Sequence, residues 1–182
     1  MQPQNLKDLI HQCRHNNEQA FRELTEMHQA MVFSLAFRIV CNEEEARDIV
    51  QETFIRVWKN INRYKPEMKF TTWLFTIAAR LCYDKLKSSH RKSVQPLNSI
   101  KLINDFESLD NIEASVINSD LAAIITILTD KLTPKQKLVF TLRDIEGLEV
   151  NEVETITGMP AAKIKSNLYL ARQFIKQQLE KM

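Results

Sequence analysis

The chain has 182 residues, of which 44% are hydrophobic and 26% are charged, a composition typical of a globular protein. Only 2 Gly and 5 Pro leave little material for tight hairpins, so we predict an all-α fold. The first five residues contain no apolar leader core, and no stretch approaches the roughly 20 apolar residues that a bilayer span requires. The sequence therefore predicts a cytoplasmic protein without membrane insertion.

The formal net charge of +2 hides an uneven distribution along the chain. Residues 1–92 carry 15 Lys/Arg against 11 Asp/Glu, residues 93–130 carry 1 against 6, and residues 131–182 carry 9 against 6. The basic charge is concentrated in two predicted helical segments, residues 78–92 and 160–182. A single basic helix is more often a solvated surface, but two of them in one chain favour a polyanionic partner such as nucleic acid.

The first long helix is predicted to begin after Asn17, whose side chain can cap it. Apolar residues then recur at three- and four-residue steps, which predicts a buried stripe. The stripe consists of Ala20, Phe21, Leu24, Met27, Met31, Leu35 and Ile39.

The next helix is predicted to begin at Asn42, because Glu45 follows at capping-box spacing and acidic residues suit the positive end of a helix. Its core side is predicted to contain Ala46, Ile49, Val50, Thr53, Val57 and Trp58. The opposite face contains Asp48, Gln51, Glu52, Ile55 and Lys59. Such a face is usually just solvated, but Ile55 among acids and amides offers an apolar contact to a partner helix.

Ser, Asn, Pro and acidic residues dominate residues 93–118, which predicts an interdomain linker. At about 25 residues this segment is longer than a normal loop of a compact domain, so we expect it to be flexible or to bind a partner in extended form. The predicted organisation is two helical domains, residues 1–92 and 119–182, on either side of it.

In the C-terminal half, Thr133-Pro134 with Gln136 predicts a helix start by capping box and proline. The two glycines suit left-handed residues just past helix ends: Gly147 after a helix over 134–146, and Gly158 between a short helix and one that starts near Ala161.

The spacing of apolar residues around Gly158 predicts a helix-turn-helix. Its small core would contain Val153, Ile156, Met159, Ile164 and Leu168. The outward residues of the second helix suit base edges and phosphates. They are Lys163, Lys165, Ser166, Asn167, Tyr169 and Arg172. The alternative is a plain helical hairpin with a basic face.

Few residues suggest catalysis or metal binding. Cys13, Cys41 and Cys82 stand singly in apolar patterns, which predicts buried reduced thiols rather than a metal or redox site. His11 and His15, one turn apart, are the one suggestive pair, and no Gly-rich phosphate loop or HExxH motif occurs. The sequence predicts no enzyme, no cofactor and no metal.

Nearly the whole chain resembles bacterial sigma factors of the sigma-70 family. The N-terminal half is similar to their second domain and the C-terminal 50 or so residues to their fourth, as in the extracytoplasmic-function group. The matching residues are Asp48, Gln51, Glu52, Phe54 and Trp58, then Phe70, Thr72, Trp73, Leu74, Ile77, Ala78, Asp84, Leu86 and Lys87, and finally Leu132, Thr133, Pro134, Gly158, Ile164, Lys165, Ser166, Leu168, Ala171 and Arg172.

The resemblance implies partners for each surface. Asp48, Gln51, Glu52, Ile55 and Lys59 would bind the clamp helices of the largest subunit of core RNA polymerase. The flap of the polymerase would be a further contact, and the linker would pass near the RNA exit path.

Promoter DNA would contact both halves of the chain. The melted minus-ten element would meet Arg63, Tyr64, Lys69, Phe70, Thr72, Trp73, Arg80, Tyr83 and Lys87, with one base flipped out of the stack. The minus-thirty-five duplex would meet Lys163, Lys165, Ser166, Asn167, Tyr169 and Arg172. The resemblance also implies an anti-sigma factor as a regulator.

Several features depart from the family pattern. Arg80 stands where the family often has Asn, and Asn167 and Leu170 stand where arginines are more usual. Glu154 stands where an alanine usually lets the two helices of the motif approach, so we expect its side chain to bend outward or the crossing angle to open. The second helix lacks a Ser or Thr cap, and Pro160 is expected to serve as its first residue.

The competing hypothesis is a DNA-binding regulator that uses the same helix-turn-helix without polymerase.

Overall fold

The computed structural model describes residues 6–92, 128–129 and 131–180, and all regular structure in these ranges is helical. The predicted all-α class is thus confirmed. The helices are α1 (Leu6–Arg14), α2 (Glu18–Val40), α3 (Glu43–Asn60), α4 (Phe70–Lys92), α5 (Pro134–Phe140), α6 (Val150–Thr157) and α7 (Ala161–Leu179), with a 3₁₀ turn at Ile61–Arg63 and a π turn at Thr141–Ile145. The predicted linker, residues 93–118, lies outside the described residues.

Short polar side chains begin α2 and α3, as predicted. The Asn17 carboxamide accepts a hydrogen bond from the Ala20 amide (3.1 Å), and that of Asn42 accepts one from the Glu45 amide (2.9 Å). Between these helices Cys41 has a φ of 53°, a left-handed conformation that ends α2. The reversal at Cys41 lets α3 fold back along α2.

Helices α1 to α4 pack around one apolar core. Leu24, Leu35 and Ile39 of the predicted stripe are fully buried, but Met27 is 54% exposed, so its assignment to the core was wrong. His28 is buried in its place, and its Nδ1 lies 2.9 Å from the Leu24 carbonyl oxygen. A hydrogen-bonded imidazole can occupy such a position because its polar atom has a partner.

The C-terminal helices also begin and end at local signals in the sequence. The Thr133 hydroxyl and the Gln136 side chain form the predicted capping box at the start of α5. Gly147 and Gly158 both have a φ of 68°, a region that side-chain-bearing residues avoid. Helix α6 is the predicted short helix before Gly158, and α7 starts at the predicted Ala161.

The two halves are packed against each other. Helices α5 and α6 contact α4, and the π turn contacts α2. Leu138, Leu142 and Val153 of the C-terminal half belong to the same hydrophobic cluster as Leu74 and Ala78 of α4. The main core of the described residues therefore spans both halves, and a smaller second cluster of Leu132, Ala171 and Ile175 lies in the C-terminal half.

Candidate polymerase-docking and nucleic-acid interfaces

The predicted docking face of α3 lies on the surface. Asp48, Gln51 and Lys59 are exposed, and Ile55 remains 40% exposed on the same face. Glu52 is half-buried, and its Oε1 accepts a hydrogen bond from Arg56 Nε at 2.7 Å. The structure thus brings all five predicted residues onto one accessible helix face with an apolar centre, which suits a partner helix.

The core side of α3 holds Trp58 as predicted. Its ring lies 4.7 Å from that of Phe21 and is half-buried. The aromatic packing couples α3 to α2 and so orients the docking face.

The loop between α3 and α4 is held in shape by internal hydrogen bonds. Arg14 Nη2 donates to the Tyr64 carbonyl oxygen (2.6 Å), and the Tyr64 hydroxyl donates to the Met68 carbonyl oxygen (2.7 Å). Burial raises the pKa of Tyr64, so this hydroxyl keeps its proton. The loop that was predicted to capture a single strand is thus built before any ligand arrives.

Three residues predicted to contact the melted strand lie in the interior. Tyr64 and Thr72 are each 8% exposed and Phe70 is 3% exposed. The Phe70 ring lies edge-on to Tyr64 (5.3 Å) and to His28 (5.2 Å), while the half-buried Trp73 tilts against it at 5.8 Å. In this arrangement the Phe70 ring packs in the interior and supports the loop, and its contact with a base stays a prediction.

The cationic residues predicted for the same strand are accessible. Arg63, Lys69, Arg80 and Lys87 are exposed and Tyr83 is half-buried. Lys69 Nζ lies 3.0 Å from Glu152 Oε1 of α6, so one of these cations already has a carboxylate partner. Arg63, Arg80 and Lys87 are accessible to a backbone phosphate.

The predicted helix-turn-helix is present. Val153, Ile156, Ile164 and Leu168 form the buried contact between α6 and α7, with Met159 packed against it. The motif consists of a short helix, a glycine turn and a longer helix with an apolar inner side. In this motif the second helix enters the major groove of DNA.

The outward side of α7 is polar and mostly exposed. Lys163, Lys165, Ser166 and Tyr169 are exposed, while Asn167 is half-buried and donates from its amide to the Lys163 carbonyl oxygen (2.7 Å). These side chains stand on the surface predicted to face duplex DNA.

Arg172 is exposed but already engaged. Its guanidinium binds Asp144 through two hydrogen bonds of 2.7 and 2.6 Å, and the hydrogen bonding to that carboxylate raises the pKa of Arg172. Such a bidentate pair is geometrically specific. Arg172 therefore ties α7 to the π turn, and its assignment to DNA stays a prediction.

Glu154 supplies a hydrogen-bond acceptor at the start of α7, which lacks a Ser or Thr cap. Its Oε1 accepts a hydrogen bond of 2.6 Å from the amide of Ala161, the first residue of α7, and so satisfies one of the amides that have no partner within the helix. The expected outward bend is wrong, because the carboxylate turns toward the next helix. Pro160 is the N-cap residue, with a ψ of 150°, and not the first helical residue.

The cysteines and histidines have ordinary surroundings. Cys13 and Cys82 are buried as predicted, and burial raises the pKa of Cys82 to about 12. Cys41 is only half-buried, so its predicted burial was wrong. The rings of His11, in the last turn of α1, and of His15, just after that helix, lie 4.8 Å apart. The described part of the chain holds no group of three His, Cys, Asp or Glu side chains that could bind a metal.

Several residues of the site gave no sequence signal. Arg14 supports the loop from a helix about 50 positions away in sequence, and Lys137 Nζ donates to Cys41 Sγ (3.3 Å) from the other half of the chain. Such contacts depend on tertiary structure, which single-sequence periodicity does not contain.

Comparison with known proteins decides the family. Residues 24–92 match the family described as Sigma-70 region 2, and residues 124–175 match Sigma-70, region 4. The chain belongs to the sigma-70 family. Both modules occur in the order that the sequence predicted, and together they span more than half of the chain.

Relatives place the chain in the extracytoplasmic-function group of sigma factors. It is 26% identical over 181 residues to the ECF RNA polymerase sigma factor SigW of Bacillus subtilis, covering 96% of each chain. It is 27% identical to the ECF RNA polymerase sigma-E factor of Haemophilus influenzae, covering 94% of each. The chain is thus a promoter-recognising transcription initiation factor.

Solved structures share the fold. The structure of CnrH in complex with the cytosolic domain of CnrY has a TM-score of 0.67 at 20% identity, covering 95% of this chain and 96% of that one. The sigma factor RpoE in complex with the anti-sigma factor NepR from Bartonella quintana has a TM-score of 0.65 at 20% identity, covering 88% and 96%. In the described part of the chain no helix is long and apolar enough to cross a membrane.

Proposed function

We propose that this sigma factor divides its work among three surfaces. The outer face of α3 binds the clamp helices of core RNA polymerase, the loop before α4 captures the melted minus-ten strand, and α7 reads the minus-thirty-five duplex. The observation that supports the division most strongly is the direct succession of an accessible acidic face with Ile55 at its centre and a pre-built, cation-lined loop.

The chemistry of each surface fits its role. Carboxylates and amides around an exposed aliphatic side chain suit a basic partner helix, because charge steers the encounter and apolar contact supplies affinity. Lysines and arginines beside a loop can bind the phosphates of single-stranded DNA, because the phosphates carry its negative charge. Lys163 and Lys165 on α7 suit duplex phosphates and base edges.

The remaining assignments belong to the same proposal. Residues 1–92 form the polymerase-binding and minus-ten domain, 93–118 the linker and 119–182 the minus-thirty-five domain, which also meets the polymerase flap. The protein works in the cytoplasm by binding and not by catalysis. By analogy with the RpoE and NepR pair, an anti-sigma factor would restrain it.

The experiment is reconstitution with core RNA polymerase. The purified chain should comigrate with core in a native gel and direct run-off transcription from promoters that are mapped by transcript starts after overexpression. A DNA-binding regulator with the same helix-turn-helix would bind promoter duplex but neither comigrate with core nor start transcripts. That outcome would overturn the proposal.

A further inference from the structure

Cys41 and Lys137 meet where the two halves of the chain touch. Cys41 is the residue that ends α2, and Lys137 belongs to α5 of the C-terminal half. The Lys137 ammonium donates a hydrogen bond of 3.3 Å to the Cys41 sulfur, and Lys137 is only 7% exposed. The contact therefore holds a buried positive charge beside a thiol.

The thiol is a poor partner for this ammonium. A protonated lysine has three N–H donors, and a thiol sulfur is a weak acceptor without a full charge. Among the described residues Lys137 has no other hydrogen-bond or ion-pair partner. Glu43, at the start of α3, pairs with Arg47, and Glu146, which reaches the last turn of α2, pairs with Arg38. The buried cation thus lacks the anion that usually accompanies one.

Cys41 is also the accessible thiol of the three. It is half-buried, whereas Cys13 and Cys82 are buried. Cysteines that react with oxidants are partly exposed and lie beside a positive charge, because the thiolate is the reactive form and a cation stabilises it. The surroundings of Cys41 therefore fit a reactive thiol, and the same chain holds two buried thiols for comparison.

We propose that Cys41 is a site of oxidation by hydroperoxides and that Lys137 is the cation that binds the oxidised sulfur. The thiol loses its proton to solvent, and its sulfur attacks one oxygen of hydrogen peroxide. The S–O bond forms as the O–O bond breaks, and the departing hydroxide takes up a proton to give water. Sulfur is oxidised, the peroxide is reduced, and the product is a sulfenic acid.

The oxidised sulfur supplies the acceptor that the ammonium lacks. The sulfenic oxygen accepts a hydrogen bond from Lys137, and its ionised form makes that hydrogen bond a charge-assisted one between the end of α2 and α5. Oxidation at Cys41 should therefore stabilise the fold. Oxidation of a thiol in an apolar core would instead add a polar group without a partner and destabilise it. The site is independent of the surfaces assigned to polymerase and DNA.

The first experiment treats the full reduced chain with hydrogen peroxide in the presence of dimedone, which traps sulfenic acids. Peptide mass spectrometry gives the labelling rate of each thiol. Cys41 should be labelled at least about fivefold faster than Cys13 and Cys82, and Lys137→Met should slow its labelling at least about threefold. Lys135→Met, on the exposed side of α5, is the matched control and should leave the rate unchanged.

The second experiment needs no oxidant. Cys41 has a φ of 53°, a conformation that Asp and Asn tolerate, so Cys41→Asp and Cys41→Asn differ mainly in charge. The carboxylate of the Asp variant stands in for the oxidised sulfur. Cys41→Asp should melt about 3 °C above Cys41→Asn, and the difference should vanish when Lys137→Met is added to both. Circular dichroism verifies the fold of each variant.

The melting temperature of the oxidised protein connects the two experiments. Peroxide also oxidises methionines, so Cys41→Ser treated in the same way is the reference. The change in melting temperature on treatment should be about 3 °C more positive in the wild type than in that reference. A thiol reductant should reverse the gain, because it returns a sulfenic acid to the thiol.

Three results would overturn the proposal. Labelling of Cys41 that is no faster than labelling of the buried thiols would mean that it is not a peroxide site. Labelling that Lys137→Met does not slow would mean that the ammonium takes no part in the reaction. Equal melting temperatures of Cys41→Asp and Cys41→Asn would mean that Lys137 does not bind an anion at this position.

Discussion

The carboxylate of Glu154 caps the helix that starts seven residues later, because its Oε1 accepts a 2.6 Å hydrogen bond from the Ala161 amide. The side chain that looked too large for the contact between two helices supplies the acceptor that the second helix lacks. A negative charge at that position also interacts favourably with the positive end of α7.

We therefore expect Glu154→Ala to destabilise the protein by about 1 kcal/mol, the usual cost of losing an N-cap acceptor. The measurement is the free energy of unfolding in urea, paired with the affinity for minus-thirty-five duplex. Thr155→Ala is the control, since that exposed hydroxyl bonds only the Asn151 carbonyl within α6. If the alanine at 154 stabilised the protein by letting α6 and α7 approach, the capping interpretation would be wrong.

Phe70 and Lys69 are neighbours with opposite roles. Phe70 is 3% exposed between Tyr64, His28 and Trp73, so Phe70→Ala should cost about 3 kcal/mol of stability and Phe70→Leu about 1 kcal/mol. Lys69→Ala should leave stability within about 0.5 kcal/mol, because its ion pair is exposed, yet weaken capture of a melted strand.

Urea unfolding and permanganate reactivity of the melted promoter strand measure these two effects separately. If the Phe70→Ala protein unfolded like the wild type but failed to open promoters, Phe70 would be a DNA-binding residue and not a core residue.

The contrast between these residues shows what the sequence could predict. Helix ends were predictable at Asn17, Asn42, Thr133 and Gly158, because caps depend on residues within one turn. The burial of Phe70 could not be predicted, because an aromatic residue next to polar residues can belong to a core or to a docking site.

Two other features could not be predicted from the sequence for the same reason. His28 is buried in the core where Met27 was expected, and α5 and α6 pack on α4. Each is decided by the partner across the contact, which periodicity in one helix does not specify.

Lys137 offers a test of the energy of the interface between the halves. Its side chain is 7% exposed and its ammonium donates to the Cys41 thiol, a weak acceptor for a buried charge. Lys137→Met keeps the length of the side chain and removes the charge, so we expect the free energy of unfolding to rise by about 1 kcal/mol.

The control is Lys135→Met on the exposed side of the same helix, which should change stability by less than about 0.5 kcal/mol. Thermal and urea unfolding at the same salt concentration measure both. A loss of stability specific to position 137 would show that the ammonium-thiol contact is favourable.

The thiols should differ in reactivity. Burial raises the pKa of Cys82 from 9.0 to about 12 and also raises that of Cys13, whereas Cys41 is half-buried. Only thiolate reacts with iodoacetamide, so Cys41 should be alkylated first, and the other two should react at the rate of unfolding. Mass spectrometry of time points identifies the sites.

The same shifts fix the sign of one pH effect. The folded chain keeps these protons at pH values where the unfolded chain loses them, so their contribution to stability is constant below pH 9 and falls as the pH rises from 9 towards 12. Cys82→Ala should flatten this decline, although it also creates a small cavity. A decline of unchanged slope in that variant would assign the effect to other groups.

The outer face of α3 is predicted to bind core RNA polymerase, and a charge reversal on this face tests that prediction. Gln51→Lys with Glu52→Lys reverses its charge around Ile55, so the steering toward a basic partner and the contact itself should both be lost, weakening core binding at least about tenfold. Stability should fall by no more than about 0.5 kcal/mol, because Gln51 is exposed and Glu52 bonds only Arg56, one turn away, in a partly exposed pair.

The matched control is Glu26→Lys with Gln29→Lys, which makes the same change on exposed positions of α2. Native-gel titration against core polymerase gives the dissociation constants of both variants, and urea unfolding verifies their folds. Equal weakening by the two variants would mean that overall charge governs the binding, and unchanged binding by the α3 variant would mean that the polymerase docks elsewhere. A selective loss at 51 and 52 is the result that places the docking site on α3.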